Sequence, residues 1–164
     1  MIEPNWKWTH DIEDEIIKEI AGLNGLVVHV CSGTSGLGEV RIDRYFSDKY
    51  AARRRLFGLP NIIADYRYLP LKSKCAAAVI CDPPYSLKRR AKEYPGMVNE
   101  LVRATALGGK ILFVAPWVLY HKTLEVTRLL LRPISTFPSY KVLSISRKIN
   151  DQLSVDGGSV LGEN

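Results

Sequence analysis

Apolar and polar positions along this chain follow two periods. From Asp11 to Ala21 the apolar residues Ile12, Ile16, Ile17 and Ile20 recur on one face behind an acidic first turn. That is the pattern of an amphipathic helix, closed by Gly22 and Gly25. Leu26 to Val30 is a short apolar run of strand type. It leads into a loop rich in glycine and serine, Cys31-Ser32-Gly33-Thr34-Ser35-Gly36-Leu37-Gly38. Glu39 to Asp43 and Asn61 to Asp65 read as two more short strands, each ending in an acid. Between them, Ser47 to Phe57 predicts a helix with a basic face, Arg53-Arg54-Arg55. Ala76 to Cys81 is a fourth strand and runs into Asp82-Pro83-Pro84-Tyr85. Val98 to Leu107 predicts a helix with Val98, Leu101, Val102 and Thr105 inward, stopped by Gly108-Gly109. Ile111 to Ala115 reads as a buried central strand closed by Pro116, and Lys122 to Leu131 as a helix ended by Pro133. Ile134 to Phe137 and Tyr140 to Ser146 alternate around Pro138-Ser139, as a closing antiparallel hairpin would. From Ile149 onward the polar, glycine-containing sequence predicts a loose tail.

Strands alternating with helices argue an α/β domain with a mostly parallel sheet. In such sheets ligands bind beyond the carboxyl ends of the strands, where the strand order reverses. The unusual chemistry of this chain falls there: the glycine loop, Asp43, Asp65 and Asp82 follow the first, second, third and fourth strands. One spacing departs from the usual plan. Only Ser32 to Gly38 separate the first two strands, whereas a parallel crossover normally takes a dozen residues or more. Seven extended residues reach roughly 23 Å, against roughly 17 Å for a five-residue strand. The return fits but a helix does not, so this crossover is expected to lack one.

At 164 residues, 46% hydrophobic and 24% charged, the chain suits a single globular domain. We expect that domain over 1–148, with the tail at 149–164. Mean hydropathy is −0.05, and no apolar run approaches the roughly 18 residues of a membrane span. The first residues lack the basic and apolar regions of a signal peptide, which argues against secretion. Cys31, Cys75 and Cys81 are odd in number and form no CxxC pair, so reduced thiols and a cytoplasmic location are expected. His10, His29 and His121 share no ligand spacing with them, and no metal is expected. Net charge is +6. All 23 Lys and Arg lie before Ile149, while three of the 17 acids lie after it, so the first 148 residues carry +9. Such a body suits a polyanion such as DNA or RNA, although charge also serves solubility alone.

With Val30-Cys31-Ser32-Gly33-Thr34-Ser35-Gly36 and Asp82-Pro83-Pro84-Tyr85 in place, the stretch from Leu26 to Lys148 resembles the class I S-adenosylmethionine-dependent methyltransferases of the amino-methylating type. The resemblance implies a Rossmann-like three-layer sandwich with strand order 3-2-1-4-5-7-6. It implies S-adenosylmethionine held by Cys31, Ser32, Gly33, Ser35 and Gly36, with Asp43 on the ribose hydroxyls, Asp65 on the adenine amine and Asp82 at the cofactor's edge. It also implies catalysis by Asp82, Pro83, Pro84 and Tyr85 on an exocyclic amine of a nucleobase, adenine N6 before cytosine N4.

The residues themselves fit those roles. Glycines allow close backbone approach and positive φ. Two prolines stiffen the segment after the fourth strand and remove two donors. The Asp82 carboxylate and Pro83 carbonyl can then accept both hydrogens of one amine and free its lone pair. Tyr85 can stack on a base flipped out of a duplex, and Lys88, Arg89 and Arg90 can grip the flanking phosphates. Trp6 and Trp8 read as apolar packing of the N-terminal arm or as a stacking lid, and Arg53-Arg54-Arg55 as a solvated helix face. The chain has no room for a large target recognition region. Specificity would come from short loops, RNA shape, a protein partner or a homodimer. Two alternatives remain beside this reading: a non-catalytic methyltransferase-fold subunit supporting a partner, and an enzyme for protein amides or small-molecule amines.

Overall fold

The computed structural model describes residues 10–33, 35–44, 60–84, 93–134 and 139–151. Among the described residues nine elements run in order: α1 (His10–Ile20), β1 (Leu26–Val30), β2 (Val40–Asp43), β3 (Ile62–Ile63), β4 (Ala76–Cys81), α2 (Tyr94–Ala104), β5 (Thr105–Ala115), β6 (Leu124–Ile134) and β7 (Ser139–Lys148). The strands form one sheet in the order β3-β2-β1-β4-β5-β7-β6. β3, β2, β1, β4 and β5 are mutually parallel, and β7 runs antiparallel to both β5 and β6. This is the expected topology, with the order reversing between β1 and β4.

Each face of the sheet builds its own core. On one side Val28, Val30, Val79, Cys81, Ile111 and Phe113 meet Met97, Val98, Leu101 and Val102 of α2. On the other, Val27, Ala78, Ile80, Leu112, Val114 and Ile145 meet Ile12 and Ile16 of α1. The strict alternation along β1, β4 and β5 follows from the two-residue period of a strand. Ile17, expected inward, is 44% exposed. The α1 stripe is narrower than its isoleucines suggested.

The crossover from β1 to β2 has no helix among its described residues, as its length required. It lies across β1 instead. The Glu39 N–H donates to the Val27 carbonyl at 3.0 Å, and the Val27 N–H donates to the Glu39 carboxylate at 2.7 Å. Gly38 makes the close approach possible. Its φ is +82°, and a Cβ there would sit 3.0 Å from the Val27 carbonyl oxygen.

Three expectations are corrected. Lys122 to Leu131 is not a helix: Leu124–Ile134 is the edge strand β6, paired along its length with β7. Arg128, Leu130 and Arg132 face α1. Leu130 packs with Ile12 and Ile16, Arg128 pairs with Glu15 at 2.9 Å and Arg132 with Asp11 at 3.1 Å. Leu129 and Leu131 point the other way and are exposed. A run of leucines carries either period, and here pairing with β7 and the acids of α1 select the strand. The closing hairpin is therefore longer than expected and lies across β6 and β7. The central strand is longer too. It begins at Thr105, and α2 spans Tyr94–Ala104 rather than Val98 to Leu107. Pro95 fits the first turn of that helix, where its missing donor costs nothing. Finally, residues 149–151 are not loose. The Ile149 N–H donates to the Thr123 carbonyl, and Asp151 pairs with Lys74 at 2.7 Å and with the buried Lys148 at 2.9 Å. The expected helix at Ser47 to Phe57, Trp6, Trp8 and the chain beyond Asp151 lie outside the described residues.

Candidate active site

The parallel strands end along one edge, and the order reverses between β1 and β4, the place where open α/β sheets form their ligand crevice. The glycine loop leaves β1 on one side of it and Asp82-Pro83-Pro84 leaves β4 on the other. Register sets this placement: Val30 of β1 lies beside Ile42 of β2 and Cys81 of β4.

The loop is ordered by its own backbone and by Asp43. The Ser32 N–H donates to the Ile42 carbonyl at 3.1 Å, and the Ser35 N–H donates to the Ser32 carbonyl at 2.9 Å. The Gly33 N–H donates to Asp43 Oδ2 at 2.8 Å, and the Arg44 N–H to Asp43 Oδ1 at 2.6 Å. Asp43 thus braces the loop as well as ending β2. The Ser32 hydroxyl is buried and finds no hydrogen-bond partner among the described residues. Buried hydroxyls rarely stay unmatched in a native protein, so this loop suits a bound polar ligand.

Asp65 lies beyond β3, and the Ala64 N–H donates to the Asp43 carbonyl at 3.1 Å. That bond and Arg44, 3.8 Å from Asp65, tie the two acids together. Arg67 dominates the surroundings of Asp65. Its N–H and Nε donate to Oδ1 at 2.9 Å each, and its second terminal nitrogen donates to Oδ2 at 2.7 Å. The side-chain bonds from Arg67 hold the Asp65 carboxyl down at about 2. Arg67 also faces Glu93 at 3.8 Å, and the Tyr66 hydroxyl donates to Glu93. The Asp-x-Arg spacing is a turn signal in which the acid accepts from the backbone two residues on, so Arg67 was within reach of the sequence. Glu93, nearly thirty residues away, was not.

Asp82 and Pro84 are half-buried and Pro83 is buried. Asp82 sits at the sheet edge and is not sealed in the core. Behind it, Phe113 pairs with Cys81 across the β4–β5 register and packs against Tyr94 and Trp117, the three ring centroids lying 6.1 to 6.4 Å apart. This cluster, which the motif reading missed, stiffens the floor behind the proline segment. Cys31, Ser32, Gly33, Ser35, Gly36, Asp43, Asp65, Asp82, Pro83 and Pro84 therefore all gather at one edge. Tyr85, Lys88, Arg89 and Arg90, like Arg53-Arg54-Arg55, lie outside the described residues.

No family model matches the chain, and neither does any curated protein. Solved structures do. A S-adenosylmethionine-dependent methyltransferase structure from Methanosarcina mazei superposes with a TM-score of 0.62 at 9% identity, over 83% of this chain and 98% of that one. TrmN from Thermus thermophilus gives 0.57 at 13% identity, over 83% of this chain. The match spans about half of TrmN, 48% of its length. A chain of the complex between the Haloferax volcanii Trm112 methyltransferase activator and a methyltransferase gives 0.59 at 11% identity, over 86% of this chain and 90% of that one. The architecture is that of the class I S-adenosylmethionine-dependent methyltransferases. At these identities the likeness is one of fold.

Proposed function

We propose that this protein is an S-adenosylmethionine-dependent methyltransferase acting on an exocyclic amine of a nucleobase, adenine N6 first, in DNA or RNA. The observation that carries the reading is the stiff Asp82-Pro83-Pro84 segment leaving the buried β4 at the crevice, across from the glycine loop of β1. Cys31, Ser32, Gly33, Ser35 and Gly36 would hold the cofactor's amino-acid end, and the unmatched Ser32 hydroxyl supports that fit. Asp43 would accept from the ribose hydroxyls while bracing Gly33, and Asp65 from the adenine amine while paired to Arg67. Bound there, the cofactor supplies a methyl group on a sulfonium. The Asp82 carboxylate and the Pro83 carbonyl would accept both hydrogens of the target amine and orient its lone pair toward the crevice. Positioning and preorganised acceptors then carry the rate. Tyr85 would stack on the base, and Lys88, Arg89 and Arg90 would hold its phosphates. Target choice would fall to short loops, a protein partner or a second copy of the chain.

The test is transfer of a labelled methyl group to total DNA and RNA, with the modified nucleoside identified by mass. Asp82→Ala should lower kcat about a thousandfold while cofactor affinity stays within a few fold. An unlabelled nucleic acid pool at every salt concentration, or an Asp82→Ala enzyme as fast as the parent, overturns the proposal. A cofactor-fold subunit without catalysis is the second reading. The hold of Arg67 on Asp65 favours it, and a calorimetric titration with S-adenosylmethionine that shows no binding would select it.

A further inference from the structure

Cys31 and Cys81 stand on neighbouring strand ends of the crevice, and their backbone geometry is unusual. Val30 pairs with Cys81, so Cys31 lies one step beyond the Cα partner of Cys81. Adjacent strands about 4.8 Å apart and a rise of about 3.3 Å per residue put those two Cα atoms about 6 Å apart. That lies inside the range, about 4.4–6.8 Å, that a disulfide spans. In a regular strand Cys31 would face α1, because successive side chains alternate. Its φ of +58° breaks the alternation. Cys31 instead packs against the core cluster on the α2 side, to which Val30 and Cys81 belong, which brings the two side chains to the same face of the sheet. A left-handed conformation is costly for any residue with a Cβ, and such outliers gather at functional sites. Cys75 stands just before β4 at the opposite end of the strand, about 20 Å away along six residues, too far to compete.

We propose that Cys31 and Cys81 are a modification site: a dithiol that hydrogen peroxide converts reversibly to a disulfide joining the start of the glycine loop to the end of β4. Cys31 is half-buried and Cys81 buried, so peroxide reaches Cys31 first. The Cys31 sulfur attacks the peroxide oxygen; an S–O bond forms, the O–O bond breaks, and water leaves as Cys31 becomes a sulfenic acid. The Cys81 sulfur then attacks the Cys31 sulfur. The S–S bond forms, the S–O bond breaks, and hydroxide leaves with the Cys81 proton as water. The two thiols lose two electrons and two protons to the peroxide. A dithiol reductant reverses the change by exchange. The bridge fixes the first residue of the glycine loop to the residue before Asp82. On the cofactor reading given above, it therefore weakens cofactor binding.

The experiment treats the reduced full chain with hydrogen peroxide, blocks remaining thiols under denaturing conditions and maps the peptides. A Cys31–Cys81 crosslink with Cys75 alkylated is expected, and a dithiol reductant should abolish it. Cys75→Ser should leave the crosslink unchanged, and Cys81→Ser should halt Cys31 at a sulfenic acid trapped by dimedone. A crosslink through Cys75, one between chains, or over-oxidised Cys31 beside a free Cys81 in the parent protein overturns the proposal; the parent result needs no variant to fold. Calorimetry supplies the second readout. The oxidised chain should bind S-adenosylmethionine about tenfold more weakly than the reduced one, and equal affinities would overturn the coupling to the crevice. If the reduced chain binds no S-adenosylmethionine, the cofactor reading fails while the crosslink stands.

Discussion

His29 shows how one residue sets a pH dependence that the site motifs do not announce. It lies on the α1 face of β1, buried, and desolvation pushes its imidazole down to about 4, against a smaller upward pull from the Leu37 backbone. In the unfolded chain a histidine titrates at about 6.5. Between those values the unfolded state binds the extra proton. Stability is therefore complete above about pH 6.5, falls as the pH drops, and is lost in full below about pH 4, by roughly 3 kcal/mol. Urea midpoints from pH 4 to 7 should trace that slope, and His29→Leu should flatten it. Gly38 is the second residue whose identity is dictated. Its positive φ and the carbonyl 3.0 Å from a built Cβ predict that Gly38→Ala costs about 1–3 kcal/mol, read as a lower urea midpoint. At this scale the sequence was legible where a residue type has one use. Asp82 and the prolines fall at the crevice because an apolar strand delivers them there. The bracing of Gly33 by Asp43 and the clamp of Arg67 on Asp65 were not legible, since each depends on the register between strands.

Among the elements, the sheet centre was readable and its far edge was not. Ala76 to Cys81 is a strand at the boundaries expected, because six apolar residues buried on both faces are too short for a helix and are bounded by polar chain on either side. β6 misled because Leu129, Leu130 and Leu131 satisfy both periods. Its deciding partners are α1 and β7, neither of them local. A signal was nevertheless present: Arg128, Leu130 and Arg132 alternate, and only a strand puts Leu130 on the face that both arginines share. The alternation yields a test. Leu129→Lys should leave stability within about 0.5 kcal/mol, since that side chain is exposed. Leu130→Lys puts a charge against Ile12 and Ile16 and should cost about 3 kcal/mol or more. Were 122–131 a helix, the two substitutions would not separate in this alternating way. The same economy of chain appears at the connections from β1 to β2 and from β5 to β6, neither of which carries a helix among its described residues. Leu37 of the first packs on the α1 face, and Trp117 and Leu119 of the second pack on the α2 face, where the Leu119 N–H donates to the Ser144 hydroxyl at 3.3 Å. Each covers the sheet with a flat strap in place of a helix.

For the molecule as a whole, charge decides between substrate classes more sharply than any single residue. The first 148 residues carry +9, and a nucleic-acid substrate must exchange condensed counterions for lysines and arginines on binding. The logarithm of affinity then falls linearly with the logarithm of salt, with a slope of about −0.9 per phosphate contacted on duplex DNA and about −0.7 on single strands. Four contacts on a duplex predict a loss of about a hundredfold between 50 and 200 mM salt. A protein amide or a small neutral amine releases no such atmosphere, and its KM should stay nearly flat over the same range. The Asp82→Ala protein sharpens the comparison. On the proposed reading the carboxylate it lacks serves the amine site and not the phosphate contacts, so binding to nucleic acid measured without turnover should keep the parent slope even as transfer is lost. A steep slope shared by both proteins, measured by fluorescence anisotropy on labelled oligonucleotides, would join the basic body and the crevice in one function. A flat slope would separate them and turn the search toward amines carried on proteins or small molecules.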